Sequence, residues 1–297
     1  MNTSPPNSAT DLLDQSTTTA NSGIILDGAR RAIVELDPDH PGFRDQEYRD
    51  RRNAIAQIAV DFVSGQPVPD APYTDEEHGV WETICDNISP AHQKWACKEY
   101  LDYYEKLGYS DKRIPQLREV STVIEALSGF RLEPVAGLVL PKIFLSHLGE
   151  GIFLSTQYIR HYSTPLYTPE PDVVHELIGH AAMLANPKFA ELNRLMGQAA
   201  KRTTDDDEVE RLGRVYWYTI EFGVLREGSE VKAYGAGLLS SFGELDNIPE
   251  AEHLPFDPED MMNRPYDVTR YQPYLYCADS FDHMYDTLKD FLAHWKV

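Results

Sequence analysis

Residues 156–180 read TQYIRHYSTPLYTPEPDVVHELIGH, and two histidines, His175 and His180, lie near the end of this stretch. Asp172 stands three residues before His175, where its side chain can cap a helix that continues to about Ala185. Two histidines that flank an acidic residue, Glu176, on one short helix are a common way to hold a metal ion. The stretch therefore predicts a helix with a metal site.

The spacing of the two histidines separates this pattern from that of the HExxH zinc hydrolases. In those enzymes the histidines are four residues apart, whereas His175 and His180 are five apart. Residues five apart on an ideal α-helix point about 140° away from each other. The rings can meet only at a helix end or a distortion, which Gly179 could supply.

Glu221 is the candidate for a third ligand. It lies in the apolar and aromatic segment YWYTIEFG at 216–223, where an ionised carboxylate is costly unless it is paired or bound to metal. Two histidines and one carboxylate form the facial triad of non-haem iron(II) oxygenases, which leaves positions open for dioxygen. Two other interpretations remain at this point: a zinc hydrolase with Glu176 as base, and ordinary core histidines beside a surface acid.

Composition excludes several partners. The formal net charge of −21 disfavours binding to nucleic acid or to anionic membrane surfaces. The three cysteines are far apart and show no CxxC pair, which favours a reducing compartment over a disulfide framework. No signal peptide or membrane-length apolar run is present, so we expect a cytoplasmic protein.

The chain divides into a tail over residues 1–33, disordered in its Ser- and Thr-rich part, and one domain over 34–297. The domain is expected to be mainly α with minor β. Apolar spacing and proline positions predict helices over 44–63, 74–88, 90–107, 116–129, 207–225 and 279–294, others through Phe144, His175 and from Pro187, and strands near 229–235 and 272–277. On the first helix the predicted apolar stripe is Ala54, Ile55, Ile58, Ala59 and Phe62.

Several further segments resemble the pterin-dependent aromatic amino acid hydroxylases, the family of phenylalanine, tyrosine and tryptophan hydroxylases. They are LDPDHPGFRDQEYRDRR at 36–52, GFRLEPVAGL at 129–138, the stretch 156–180, YWYTIEFG at 216–223 and KAYGAGLLSSFGEL at 232–245. The resemblance covers roughly residues 34–292 and implies the family's single catalytic domain. It further implies a bacterial-type enzyme without the regulatory domain and tetramerisation helix of animal members, and hence a monomer.

By this resemblance the iron ligands are His175, His180 and Glu221, the residues already selected by their chemistry. The arginine of the YIRH motif, Arg160, is implied to hold the carboxylate of the amino acid substrate, for which its planar fork is suited.

The resemblance implies that Thr168 and Ser240 contact the backbone end of the substrate and that Trp217 packs on its ring. A tryptophan at 217 resembles the phenylalanine and tyrosine hydroxylases more than the tryptophan hydroxylases. Cys277 is aligned with an acidic residue of tyrosine hydroxylases, so phenylalanine is the implied substrate.

For the reduced pterin, the resemblance implies stacking and hydrogen-bonding roles for five positions. They are Phe144, Glu176, Tyr216 and the backbone of Gly137 and Val139. The sequence departs from animal members in carrying Leu154 in place of a histidine, so we expect altered pterin contacts.

The function implied by these features is hydroxylation of phenylalanine to tyrosine with O2, a tetrahydropterin and non-haem iron(II). Phenylalanine 3-hydroxylase and tryptophan 5-hydroxylase remain as alternatives within the family. A zinc hydrolase and a non-catalytic metal-binding module remain as alternatives of other classes.

Overall fold

The computed structural model describes residues 24–26, 32–268 and 270–295, and most of its regular structure is helical. The predicted class, mainly α with minor β, is confirmed. The first five helices are α1 (Gln46–Asp61), α2 (Asp75–Trp95), α3 (Lys98–Leu107), α4 (Leu117–Ser128) and α5 (Pro141–Leu148). They are followed by the short helix α6 (Ala181–Leu184) and by two longer helices, α7 (Pro187–Arg202) and α8 (Asp206–Tyr216). Three short helices, α9 (Ala236–Leu239), α10 (Phe242–Asn247) and α11 (Pro258–Met261), precede the last helix, α12 (Phe281–Ala293).

The strands form three small sheets. Two pairs are β1 (Ile24–Leu26) with β2 (Ala32–Val34), antiparallel, and β3 (Arg131–Pro134) with β4 (Ile152–Ser155), parallel. The third sheet has the order β6 (Glu230–Ala233), β5 (Val224–Glu227), β8 (Tyr274–Ala278), β7 (Glu252–Pro255). The strands predicted near 229–235 and 272–277 are thereby confirmed as β6 and β8.

Residues 1–23 of the predicted tail lie outside the described residues. Strand β1 falls within the segment 1–33 and β2 crosses its end, and their backbones pair from Ile24 with Val34 to Leu26 with Ala32. The boundary between tail and domain therefore stays a prediction of the sequence.

The predicted helix boundary at Pro90 is wrong, because α2 continues through this residue to Trp95. Proline removes one backbone hydrogen bond inside a helix, a loss that packing can offset. Ile88 and His92 are buried on either side of it, and His92 Nε2 lies 2.7 Å from the carbonyl oxygen of Leu239. Tertiary contacts thus hold the helix together where its local sequence favours a break.

The predicted stripe of α1 is also partly wrong, since Ala54 is exposed and Ile58 only half-buried. The buried face is rotated toward Arg52, whose guanidinium donates to Glu170 Oε1 at 2.6 Å and packs over the ring of Tyr158. The buried residues of this helix are Arg52, Ile55, Ala56, Ala59 and Val60. A buried ion pair, which apolar periodicity does not reveal, decides which face turns inward.

No helix in the described part of the chain has both the length and the apolar character needed to cross a membrane.

Helix α7 crosses α5 at close range, and this contact positions the helix that carries Phe144. The two helices meet at Gly197 of α7 and at Gly149, which follows α5. A Cβ built on Gly197 would come 2.0 Å from Gly149 N and 2.4 Å from Leu145 O. Both contact atoms belong to the backbone, so they cannot move aside as a flexible side chain would. Gly197 is therefore required by close packing.

Substitution of Gly197→Ala is expected to lower the free energy of unfolding by about 3 kcal/mol, because α5 and α7 must separate. Urea unfolding followed by circular dichroism measures this change. Gly213→Ala on α8 is the matched control, since a Cβ there meets nothing within 4 Å. It should leave the stability unchanged or raise it by up to about 1 kcal/mol. Equal stability of the two variants would contradict the close-packing interpretation.

Candidate metal centre

Two π-helical turns carry the three predicted metal ligands. The first covers His175–His180 and is closed by a bond from Ala181 N–H to the carbonyl oxygen of Glu176. The second covers Trp217–Glu221 and is closed by Phe222 N–H donating to Trp217 O at 2.9 Å. The predicted helix 207–225 is wrong in its last part, because α8 ends at Tyr216 and β5 begins at Val224.

The π-turn explains how histidines five residues apart share one site. In an α-helix they would diverge, but a turn closed by i→i+5 bonds brings residues at this spacing to nearly the same face. The Nε2 atoms of His175 and His180 lie 3.0 Å apart. Glu221 offers Oε1 at 3.1 Å from His180 Nε2 and Oε2 at 3.5 Å from His175 Nε2.

Gly179, which we expected to distort the helix, serves a different purpose. A Cβ on Gly179 would lie 2.7 Å from the carbonyl oxygen of Ala236, so glycine lets α9 approach the first π-turn. That approach places Ser240, at the end of α9, beside His175. The distortion itself comes from the π-turn.

Ser240 fixes the tautomer of His175. Its hydroxyl donates to Ala236 O at 2.7 Å, and a hydroxyl has only one hydrogen. The contact of 2.9 Å between Ser240 Oγ and His175 Nδ1 is then a hydrogen bond that the ring donates. The lone pair of His175 consequently lies on Nε2, which faces His180 and Glu221, as a metal ligand requires.

Burial lowers the pKa of His175 to about 4, so its ring is neutral near pH 7. Burial alone would raise the pKa of Glu221, but the neighbouring His180 and His175 outweigh it and hold this pKa below its usual value. A neutral imidazole and an ionised carboxylate are the states in which these groups bind metal. The three residues therefore fit a divalent ion with positions left open.

Glu176 is adjacent to His175 in sequence, but its side chain is hydrogen-bonded to Thr156. Its Oε1 accepts hydrogen bonds from Thr156 N at 3.3 Å and from Thr156 Oγ1 at 3.1 Å. Burial raises the pKa of this carboxyl to about 7.

The aromatic residues predicted for the pterin lie together. The ring of Phe144 on α5 meets the ring of Tyr216 edge-on with centroids 5.7 Å apart. The hydroxyl of Tyr216 is buried and lies near the Glu221 carboxylate, whose pKa it helps to lower, without forming a hydrogen bond of good geometry to a described residue. The ring of Phe153 lies 4.6 Å from that of His180, which connects this aromatic group to the triad.

Gly137 and Val139 lie in the segment between β3 and α5. Val139 packs with Phe144 on a small apolar cluster that includes Leu154, the residue that departs from animal members. A leucine at this position continues the apolar cluster and offers no polar atom beyond its backbone.

Arg160 is held by Asp172. Its Nε and Nη2 donate to the two carboxylate oxygens at 2.9 and 2.8 Å, and its backbone N–H donates to the same carboxylate at 2.8 Å. Asp172 occupies one edge of the guanidinium, and the edge formed by Nη1 and Nη2 has only a contact of 3.5 Å from Nη1 to Pro165 O. Asp172 also caps the first π-turn by accepting from His175 N at 3.2 Å, as the sequence predicted.

Thr168, predicted as a substrate contact, closes a local turn by donating to the carbonyl oxygen of Glu170 at 2.9 Å. Trp217 is the first residue of the second π-turn, which ends at the predicted ligand Glu221. Its ring packs between Phe222 and Tyr266, whose ring centroids are 4.5 and 4.3 Å away.

The part of the substrate prediction that was based on Cys277 stays a prediction. Cys277 lies in β8 opposite Val224, is buried, and its thiol faces the carbonyl oxygen of Ala278. None of the interactions found among the described residues joins it to the triad.

Sequence patterns missed three interactions that shape this region. They are the ion pair of Asp172 with Arg160, the contact of the Phe153 ring with His180, and the stacking of Tyr266 on Trp217. The pairing of Arg160 with Asp172 had a weak signal, since both lie in the stretch 156–180. Tyr266 had none, because it reaches Trp217 only through the tertiary structure.

Comparison with known proteins identifies the family of the chain. A sequence model of the family described as biopterin-dependent aromatic amino acid hydroxylase matches residues 26–296. Phenylalanine hydroxylase from Chromobacterium violaceum, solved with iron(III) and 7,8-dihydrobiopterin, matches the fold with a TM-score of 0.73 at 28% identity, covering 80% of this chain and 89% of that one. The resemblance stated from the motifs is confirmed for family and fold.

Two curated relatives are similar at nearly equal identity. Tyrosine 3-monooxygenase of Mus musculus is 42% identical over 278 residues, which are 90% of this chain and 56% of the mouse protein. Phenylalanine-4-hydroxylase of Caenorhabditis elegans is 43% identical over 266 residues, 88% of this chain and 58% of the worm protein. The chain thus spans little more than half the length of these relatives.

Glu221→Ala is expected to lower iron(II) affinity at least about 100-fold while the protein stays folded, because a ligand to an open site contributes little to so large a core. Metal content after dialysis and the thermal midpoint measure the two effects. Glu210→Ala removes an exposed acid of α8 and serves as the control that keeps iron. Stoichiometric iron in the Glu221 variant would show that the triad is assigned wrongly.

Ser240→Ala is expected to weaken iron(II) binding by about 10- to 100-fold, since the ring of His175 loses the acceptor that orients it. Competition with a chelator measures the affinity. Ser241→Ala is the matched control, because Ser241 caps α10 through Glu244 N and does not touch His175. An affinity equal to that of the control variant would refute the orienting role.

Proposed function

Because the chain belongs to the biopterin-dependent aromatic amino acid hydroxylases, we propose that it hydroxylates the ring of L-phenylalanine at the para position to give L-tyrosine. The co-substrates are O2 and a tetrahydropterin, and the metal is non-haem iron(II). The observation that supports this proposal is the triad of His175, His180 and Glu221, whose ligand atoms converge with the lone pair of His175 directed at the common point.

The bound iron and pterin together supply the electrons and the oxygen activation that no side chain of the protein can provide. The protein's own groups bind and orient the partners. Three ligands leave coordination positions open, as oxygen chemistry requires. A site built on two π-turns and braced by Ser240 holds its ligands on rigid elements rather than on loops.

For the amino acid, we propose that the Nη1–Nη2 edge of Arg160, whose Nη1 makes a contact of 3.5 Å with Pro165 O, receives the substrate carboxylate. Asp172 holds the other edge, so the guanidinium is already oriented before substrate arrives, which lowers the entropic cost of binding. Ser240 and Thr168 complete this end of the substrate site, and Trp217 forms part of the ring pocket.

For the pterin, we propose that Phe144 stacks on its ring and that Tyr216, Glu176 and the backbone of Gly137 and Val139 complete the site. The edge-on contact of the Phe144 and Tyr216 rings, with centroids 5.7 Å apart, supports a shared role for the two residues.

The choice of phenylalanine as substrate rests on Trp217 and on the bacterial phenylalanine hydroxylases among the structural relatives. The curated relatives do not decide it, because tyrosine and phenylalanine hydroxylases match almost equally. Tyrosine 3-hydroxylation is therefore a second candidate.

The alternatives from other classes receive less support. A zinc hydrolase would need Glu176 as a base facing the metal, but this carboxylate accepts from Thr156. A binding module with a structural metal would be expected to close the coordination shell, whereas the triad leaves it open.

We further propose a cytoplasmic monomer. The three cysteines are buried and free, which suits a reducing compartment. Light scattering of the purified chain would check the monomer.

The iron-loaded protein, given O2, a tetrahydropterin and one aromatic amino acid at a time, is expected to form para-tyrosine from phenylalanine. Chromatography with mass spectrometry identifies the product, and reactions without pterin or with Glu221→Ala serve as controls. Meta-tyrosine, 5-hydroxytryptophan or dihydroxyphenylalanine as main product would move the function within the family. No hydroxylated product from any substrate would overturn the proposal.

A further inference from the structure

Trp217, the proposed wall of the ring pocket, is enclosed on both faces. Tyr266 stacks on its indole at 4.3 Å with an interplanar angle of 11°, and Phe222 lies 4.5 Å away, tilted by 35°. Two rings at these distances would overlap each other if they shared one face of the indole, so they lie on opposite faces. The position of Trp217 therefore depends on what holds Tyr266.

Tyr266 begins a largely exposed segment, of which residues 266–268 and 270–271 are described; we call these five residues the flap. The side chains of Tyr266, Val268 and Tyr271 are 41%, 67% and 58% exposed, an unusual number of large apolar groups in so short a stretch. Apolar contacts alone cannot fix a loop that is this exposed.

Gln272 follows the flap and is only 3% exposed. Its amide Nε2 donates to the carbonyl oxygens of Asp267 at 3.1 Å and of Arg270 at 3.2 Å. Its Oε1 accepts from the indole Nε1–H of Trp217 at 3.2 Å. The indole nitrogen can only donate, so this contact fixes which end of the amide is oxygen and which is nitrogen.

One buried amide thus uses both of its hydrogens to close the flap on itself and its oxygen to hold the tryptophan that the flap covers. The ends of the flap are held separately. Pro265 O accepts from the hydroxyls of Tyr218 at 2.7 Å and Tyr274 at 3.0 Å, and Gln272 O accepts from Asn247 Nδ2 at 3.2 Å.

We propose that Gln272 is a positioning residue for substrate specificity: it sets the orientation of Trp217 and keeps Tyr266 stacked against it, and so determines where the ring of the amino acid lies. This inference rests on the proposed function. Trp217 starts the π-turn that ends at Glu221, so a change in its orientation moves the ring relative to the metal ligands.

Gln272→Leu keeps most of the side-chain volume and removes all three hydrogen bonds. We expect KM for phenylalanine to rise about tenfold, with kcat changed less than about threefold, and a larger share of pterin to be oxidised without product. A merely structural defect would instead lower the amount of active enzyme and leave KM and the ratio of product to oxidised pterin unchanged. Asn247→Leu is the matched control: it removes an amide bonded to the backbone of the same residue but not to Trp217, and should leave KM within about twofold.

A double-mutant cycle with Trp217→Phe tests the route of the effect. Phenylalanine lacks the indole N–H, so Gln272→Leu should raise KM less than about threefold in that background if it acts through Trp217. Full additivity of the two substitutions would overturn the inference. Gln272→Met provides a more flexible replacement if the leucine variant does not fold.

The flap offers a readout that needs no activity. The side chain of Arg270 is 67% exposed, and trypsin should cut after it about tenfold faster in the iron-loaded Gln272→Leu enzyme than in the wild type or in Asn247→Leu. An unchanged cleavage rate would overturn the bracing role of Gln272.

The outcomes separate the two proposals. Hydroxylation by the wild type with an unchanged KM in Gln272→Leu overturns the inference alone. Absence of any hydroxylated product with the wild type overturns the proposed function, and the ring-positioning role with it.

Discussion

Two backbone hydrogen bonds of the i→i+5 kind, from Ala181 to Glu176 and from Phe222 to Trp217, are the constraint on which the metal centre depends. Each widens a helix by one residue per turn at the place where a ligand is needed. Without the first, His175 and His180 would point in different directions. Without the second, Glu221 would leave the helix at another angle. Rare π-turns occur mostly at functional sites, and here the reason is geometric.

The irregular segment between β4 and the first π-turn is held by buried ion pairs in addition to apolar packing. Glu170 pairs with Arg52 of α1 at 2.6 Å, and Asp172 pairs with Arg160. Ion pairs buried to this extent seldom add net stability compared with apolar residues, but the loss of one partner leaves an uncompensated charge. Their value here is specificity of position. Asp172 connects the guanidinium proposed to bind substrate with the backbone that starts the metal-binding turn.

The surroundings of the triad combine rigid packing with a few polar groups that each have a defined partner. Gly179 admits α9, α9 delivers Ser240, and Ser240 selects the tautomer of His175. On the other side, Gln272 performs a similar task for Trp217: its amide oxygen accepts from the indole N–H, and both amide hydrogens bind carbonyl oxygens of the flap. In both cases a residue outside the metal coordination decides how a functional side chain is presented, which explains why a small buried hydroxyl or amide can matter as much as a ligand.

The sequence by itself determined the helical class and most helix positions and predicted the three ligands, because apolar periodicity, caps and costly buried charges are local properties of the chain. It failed at Pro90, at the buried face of α1 and after Tyr216. In each case an interaction with a distant part of the chain outweighed the local preference: His92 with Leu239, Arg52 with Glu170, and the sheet that takes over at Val224. Only the tertiary structure decided that the five-residue spacing is met by a π-turn, that Asp172 shares Arg160, and that Tyr266 and Gln272 enclose Trp217. These contacts join residues that lie 12 to 55 positions apart or depend on backbone hydrogen bonding that side-chain patterns do not encode.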